Sequence, residues 1–107
     1  MEPLLLVIPG CPNSGSAKEL FDTALELEGI RAPATVREIR TEHEAHLHGF
    51  HGSPSFSVDG TDLFGSASEP AVSCRVYRTP DRFAGQPTLE NLRGAIRASL
   101  RAPGPTA

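Results

Sequence analysis

The sequence predicts an α/β domain with the element order β-α-β-α-β-β-α. Three observations predict it. The apolar run Leu4–Leu5–Leu6–Val7–Ile8 ends at Pro9–Gly10. It is the length of a strand and apolar enough to be covered on both faces. Ala17, Leu20, Phe21, Ala24 and Leu25 then recur at the spacing of one helical stripe. Further on, Ser55–Phe56–Ser57–Val58 alternates polar with apolar and runs into Asp59–Gly60. That pair suits a hairpin turn that needs positive φ at both central residues.

Each element has a local reason. Leu4–Ile8 is the first strand. Ser16 and Glu19 have the spacing of a capping box, which puts the first helix start at Ala17, and Gly29 ends that helix. Ala34–Ile39 is the second strand, with Val36 and Ile39 expected inward. Thr41 and Glu44 form a second capping box, opening a short helix closed by Gly49. Ser55–Val58 and Thr61–Phe64 flank the hairpin. Residues 65–87 read as mostly irregular, with a short strand at Arg75–Tyr77. Thr88 caps a last helix whose stripe is Leu89, Leu92, Ile96 and Leu100. A strand, a crossover helix and a second strand make a parallel unit, and the hairpin completes a four-stranded mixed sheet with helices on both faces. Residues 1–101 read as one domain and 102–107 as a flexible tail.

Composition agrees with a single small domain. The chain has 107 residues, 38% of them apolar, with 10 Gly and 10 Pro. That supports many turns around one core. No apolar run approaches the length of a membrane span. The first run follows Glu2 rather than a basic stretch, so it does not read as a signal peptide. The formal net charge is −3, with one Tyr, five Phe and no Trp. A mildly acidic chain with no basic run is not expected to bind nucleic acid. Two cysteines are too few for a disulfide-built secreted scaffold, and the expected setting is the cytoplasm. Nine Arg against one Lys, with much Ala, Gly and Pro, is a composition associated with GC-rich bacterial genomes.

The residues able to do chemistry are few. Cys11 stands in the turn Pro9–Gly10–Cys11–Pro12–Asn13–Ser14 between the first strand and the first helix. A thiolate is the nucleophilic form of cysteine, and a nearby helix N-terminus favours it. The alternative is a small buried residue at a strand end. Ser14 is either a hydrogen-bond donor to Cys11 or a helix cap. Cys74 is either a second thiol for Cys11 or a packed residue between Val72 and Val76. Cys11 is expected to be partly accessible and more reactive than Cys74. His43, His46, His48 and His51 are all the histidines, but a short helix running into Gly49 does not aim four imidazoles at one point. No tightly bound metal is expected there, and no cofactor is called for. Asp59 and Asp62 read as turn residues.

The Cys-Pro turn after the first strand, together with Gly52–Ser53–Pro54–Ser55–Phe56–Ser57–Val58–Asp59–Gly60 opening the third, resembles the thioredoxin-like superfamily. The resemblance covers roughly residues 3–101 as a pattern. The chain is also similar to small bacterial thioredoxin-like proteins grouped with alkylmercury lyases. The resemblance implies a redox motif at Cys11, with Ser14 where a second cysteine usually stands, as in monothiol glutaredoxin-like motifs. It implies a helix starting just after that motif, in conflict with the Ser16–Glu19 box. It also implies a cis Ser53–Pro54 bond facing Cys11, with Pro12, Ser53 and Pro54 contacting substrate and the Ser53 backbone pairing with an extended one.

The sequence is compatible with three functions. The first is thiol–disulfide exchange by Cys11 on protein or small-molecule thiols and disulfides, with Cys74 as a resolving thiol. A Cys11–Cys74 disulfide needs Cα atoms within ~7 Å. The second is thiolate binding of a soft metal or an organomercurial. The third is a non-catalytic interaction domain. No membrane partner is expected.

Overall fold

The computed structural model describes residues 2–65, 72, 75, 77–80 and 83–101. Its main sheet has four strands: β1 (Pro3–Val7), β2 (Thr35–Glu38), β3 (Ser55–Val58) and β4 (Thr61–Asp62), in the order β2-β1-β3-β4. β1 runs parallel to β2, with Leu5 beside Val36, and antiparallel to β3, with Leu5 beside Phe56. The three helices are α1 (Ser14–Leu27), α2 (Glu42–His48) and α3 (Leu89–Arg101). The expected α/β architecture and mixed sheet are therefore present.

β1 divides the core. Alternate residues of a strand point to opposite faces. Leu5 and Val7 pack with Phe21, Ala24 and Leu25 of α1 and with Leu92 and Ile96 of α3. Leu6 packs on the other face with Ile39, Ala45 of α2 and Phe50. Helices cover both faces, which is why β1 carries no polar residue. Each fully buried Leu, Ile or Phe side chain contributes about 1.5–3 kcal/mol.

Two helices stop as their glycines require. After α1, Gly29 has φ 81°, its N–H bonds the Glu26 carbonyl, and the Ile30 N–H bonds that of Leu25. After α2, Gly49 has φ 60° and the Phe50 N–H bonds the Ala45 carbonyl. Both are left-handed exits that satisfy terminal carbonyls. The second brings Phe50, fully buried, back onto Ala45 and aims the chain at the 51–54 segment. Thr41 caps α2 as expected, accepting from the Glu44 N–H at 3.1 Å. Thr88 likewise accepts from Asn91 N–H at 3.1 Å. Asp59 and Gly60, at φ 51° and 83°, make the expected hairpin turn.

Several expectations need correction. The Ser16–Glu19 box does not cap α1, because the helix begins at Ser14 and the Ser16 hydroxyl instead donates to the Asn13 carbonyl and to Gln86 Oε1. Val36 is not inward but 44% exposed. It lies on the edge strand β2, with β1 on one side only. Leu100 is 47% exposed, near the far end of α3. The return strand β4 stops at Asp62, whose Oδ1 accepts from the Phe64 and Gly65 N–H groups and turns the chain. A second, two-stranded sheet pairs β5 (Tyr77–Arg78) with β6 (Phe83–Ala84). Its first strand lies slightly later than the one expected at Arg75–Tyr77, and its second was not foreseen. The tail 102–107 lies outside the described residues.

Helices α1 and α3 are tied by charge. Glu28, at the end of α1, accepts from Arg93 Nε at 2.7 Å and Arg97 Nη1 at 2.9 Å. The Arg93 hydrogen bond holds its carboxyl below the usual carboxylate range. In α3, Gly94 faces open space: a Cβ there meets nothing within 4 Å. Gly94→Ala is expected to raise stability by about 1 kcal/mol, the helix-propensity difference. A urea midpoint unchanged or lowered in the variant would count against that.

Candidate functional site

The β1–β3 pairing places the two sequence motifs at one end of the sheet. Leu6 lies beside Ser55, so residues 52–54 reach the C-terminal end of β1. That is the end from which the chain turns through Gly10, at φ 76°, to Cys11. The Cys11 N–H closes the turn on the Ile8 carbonyl at 3.2 Å. The Ser53–Pro54 peptide is cis, as expected.

Cys11 precedes α1 by three residues. Its carbonyl accepts from the Ser14 N–H at 3.2 Å and the Ser14 hydroxyl at 3.0 Å. The single hydroxyl proton of Ser14 is thus committed to the backbone of Cys11, not to its sulfur. Asn13, at the helix N-cap, makes no side-chain capping bond. Cys11 itself is only 6% exposed, against the expectation of partial access, while Pro9, Gly10 and Pro12 around it are exposed. Cys74 lies outside the described residues. Its neighbours Val72 and Arg75 are placed: the Val72 N–H bonds Glu42 Oε1 at 3.2 Å, and Arg75 packs on Gly52.

The segment before β3 is closed by its own chain. The Gly52 carbonyl accepts from the Ser55 hydroxyl at 2.5 Å. The Ser53 carbonyl accepts from the Arg75 N–H at 2.9 Å, and the Pro54 carbonyl from the Tyr77 hydroxyl. The Ser53 backbone was expected to pair with an extended substrate, and its carbonyl is already paired with Arg75. Burial pushes the Tyr77 hydroxyl well above the usual tyrosine range, which keeps it protonated as a donor. Among the described residues, two buried side-chain polar atoms, His51 Nδ1 and Ser53 Oγ, have no hydrogen-bond partner. Unpaired buried polar groups are rare, and both stand just before Pro54.

Arg75 holds this arrangement from the side. Its guanidinium bonds Asp62 Oδ2 at 2.6 Å, the Gly65 carbonyl at 2.8 Å and the Ser55 hydroxyl at 3.3 Å. It also lies 4.9 Å over the Tyr77 ring. Asp62 is thus a turn residue with one oxygen and an ion-pair partner with the other. Sequence reading missed Arg75, Tyr77 and the second role of Asp62. No local pattern announces a contact between residues thirteen apart in an irregular stretch.

The histidines do not converge on this end of the sheet. His43 and His46 are exposed on α2, His46 Nδ1 lying 2.9 Å from the Glu42 carbonyl oxygen; His48 and His51 are half-buried. Among the described residues, no group of three or more His, Cys, Asp and Glu side chains is placed to hold a metal ion. Nor is any helix among them long and apolar enough to cross a membrane. In comparisons with known proteins, the chain matches no family model, no curated protein and no solved structure.

Proposed function

We propose that the protein is a thioredoxin-like domain in which Cys11 carries out monothiol thiol–disulfide exchange. The observation that carries this reading is that Cys11 and the 52–54 segment share one end of the sheet, with Cys11 in the turn that enters α1. The strand order β2-β1-β3-β4, with helices on both faces, supports the same assignment. In the reaction, the Cys11 thiolate attacks one sulfur of a disulfide. A Cys11–sulfur bond forms, the old S–S bond breaks, and the departing thiolate takes a proton from water. A solution thiolate then attacks the substrate-derived sulfur of the mixed disulfide, forming a new disulfide with it and releasing the Cys11 thiolate. Should Cys74 attack Cys11 Sγ instead, a Cys11–Cys74 disulfide forms, the substrate thiolate leaves, and Cys11 returns only when a solution thiol reduces that disulfide. A reducing compartment such as the cytoplasm is the fitting setting for this chemistry.

One observation favours a second reading. The near-complete burial of Cys11 suits an interaction domain that uses the cysteine only for packing. Timed reaction with a small disulfide, read by mass spectrometry on native Cys11→Ser and Cys74→Ser proteins, separates the two. Exchange predicts that Cys74→Ser still forms the mixed disulfide at Cys11 and that Cys11→Ser loses at least ten-fold in rate. If Cys11 reacts only after denaturation, the interaction domain replaces the enzyme.

A further inference from the structure

Extended polypeptides are recognised by pairing with free backbone groups that continue or border a sheet. At the sheet end beside Cys11, just before β3, the backbone carbonyls are already paired. The three consecutive carbonyls of Gly52, Ser53 and Pro54 accept from Ser55, Arg75 and Tyr77. Arg75 also occupies the space itself: a Cβ built on Gly52 falls 2.9 Å from Arg75 Cβ and 3.1 Å from its Cα. The same stretch of chain returns to the other side of the site. Gly85 lies so close to Asn13 that a Cβ there falls 2.2 Å from Asn13 Nδ2, and Gln86 accepts from the Ser16 hydroxyl at 3.0 Å. Residues from the connection between β4 and α3 thus touch both halves of the site, the 52–54 segment and the start of α1.

We propose that this connection, through Arg75, Tyr77, Gly85 and Gln86, is a specificity element that limits Cys11 to low-molecular-weight thiols and disulfides and excludes extended polypeptides. The inference rests on the reading of Cys11 as a nucleophile and adds the class of molecule it meets. Low exposure of Cys11 fits it: Cys11 is 6% exposed, so a long chain cannot lie across its sulfur, and a peptide also needs a strand's width of open backbone. The ion pair of Arg75 with Asp62 positions the connection. Its Asp62 oxygen is separate from the one that turns the chain after β4, so the two roles can be uncoupled.

The test uses the Cys74→Ser protein, in which Cys11 is the single thiol. One probe is 2-hydroxyethyl disulfide. The other is an unstructured peptide whose one cysteine is disulfide-linked to 2-mercaptoethanol. Mixed-disulfide formation is timed by mass spectrometry, and each rate is divided by that of the urea-denatured protein. The small probe is expected to react at least ten-fold faster than the peptide on this scale. Adding Asp62→Asn, which keeps an acceptor for the turn but sets an amide N–H against Arg75, is expected to raise the peptide rate at least three-fold and leave the small-probe rate unchanged. Tyr77→Phe, which keeps the ring and frees the Pro54 carbonyl, is a second variant with the same expectation, used if Asp62→Asn does not fold. Equal native rates for both probes would overturn the proposal and leave exchange at Cys11 standing. A gap untouched by the folded variants would overturn the role given to the connection. Failure of both probes at native Cys11 would remove the exchange reading itself.

Discussion

Phe56→Ala is expected to cost about 3–5 kcal/mol, the usual price of emptying a buried aromatic site. Phe56 is fully buried in β3. Its ring meets Phe21 at 5.2 Å, Tyr77 at 5.9 Å and Phe64 at 6.2 Å, each pair edge to face. Such pairs add about 0.5–1.5 kcal/mol beyond their buried area. The three partners come from α1, the turn after β4 and β5, so they cannot all close on the space that alanine leaves. A domain has about 5–15 kcal/mol in total, and this one substitution removes a large share. Phe56→Leu retains most of the volume and is expected to lose less than half as much. Urea denaturation of the two variants checks the size and the order. A Phe56→Ala loss below about 1.5 kcal/mol would show that the aromatic cluster does not join the main sheet to Tyr77 as described.

Gly52→Ala is expected to cost about 2–4 kcal/mol, from two sources acting together. Gly52 has φ 118°, outside the range of ordinary L residues. A methyl group there would also meet Arg75 Cβ at 2.9 Å, Cα at 3.1 Å and N at 3.2 Å. Two of those atoms are backbone and do not rotate away. Arg75 must therefore move back, which breaks its N–H bond to the Ser53 carbonyl. Hydrogen exchange at the Arg75 amide should accelerate in the variant while amides of β1 keep their relative protection. Gly10→Ala is a control for positive φ without a contact, since Gly10 has φ 76° and nothing within 4 Å of its Cβ position. Both the larger φ and the contact with Arg75 make Gly52→Ala the costlier change. Equal losses in the two variants would overturn that order.

Much of the fold is legible in the sequence because its determinants are local. The apolar run at Leu4–Ile8, the stripe from Ala17 to Leu25 and the Asp59–Gly60 turn each sit within a dozen residues of chain. Strand, helix and hairpin follow from spacing and from the φ that glycine allows. The Thr41 and Thr88 caps were readable for the same reason. Errors fall where two local rules compete or where burial depends on distant elements. Ser16 and Glu19 had the spacing of a cap, yet α1 starts three residues earlier and Ser16 reaches Gln86 instead. Val36 has the pattern of an inward residue, but β2 is the sheet edge, a matter of strand order rather than of its own sequence.

The candidate site divides in the same way. Its two motifs, Cys11–Ser14 and Gly52–Pro54, can be found by inspection, and their meeting at one end of the sheet follows from the element order. How the site is closed was decided by tertiary structure. Arg75 reaches Asp62 across thirteen residues, Tyr77 reaches Pro54 across twenty-three, and Ser16 reaches Gln86 across seventy. None of these pairs has a periodicity, because the connection that carries Arg75, Tyr77 and Gln86 is held by side-chain and backbone bonds to elements already folded. A chain's periodicity records which face of an element is buried. Which neighbour buries it, and which carbonyl is spent in doing so, depends on contacts that exist only once the sheet and helices have packed.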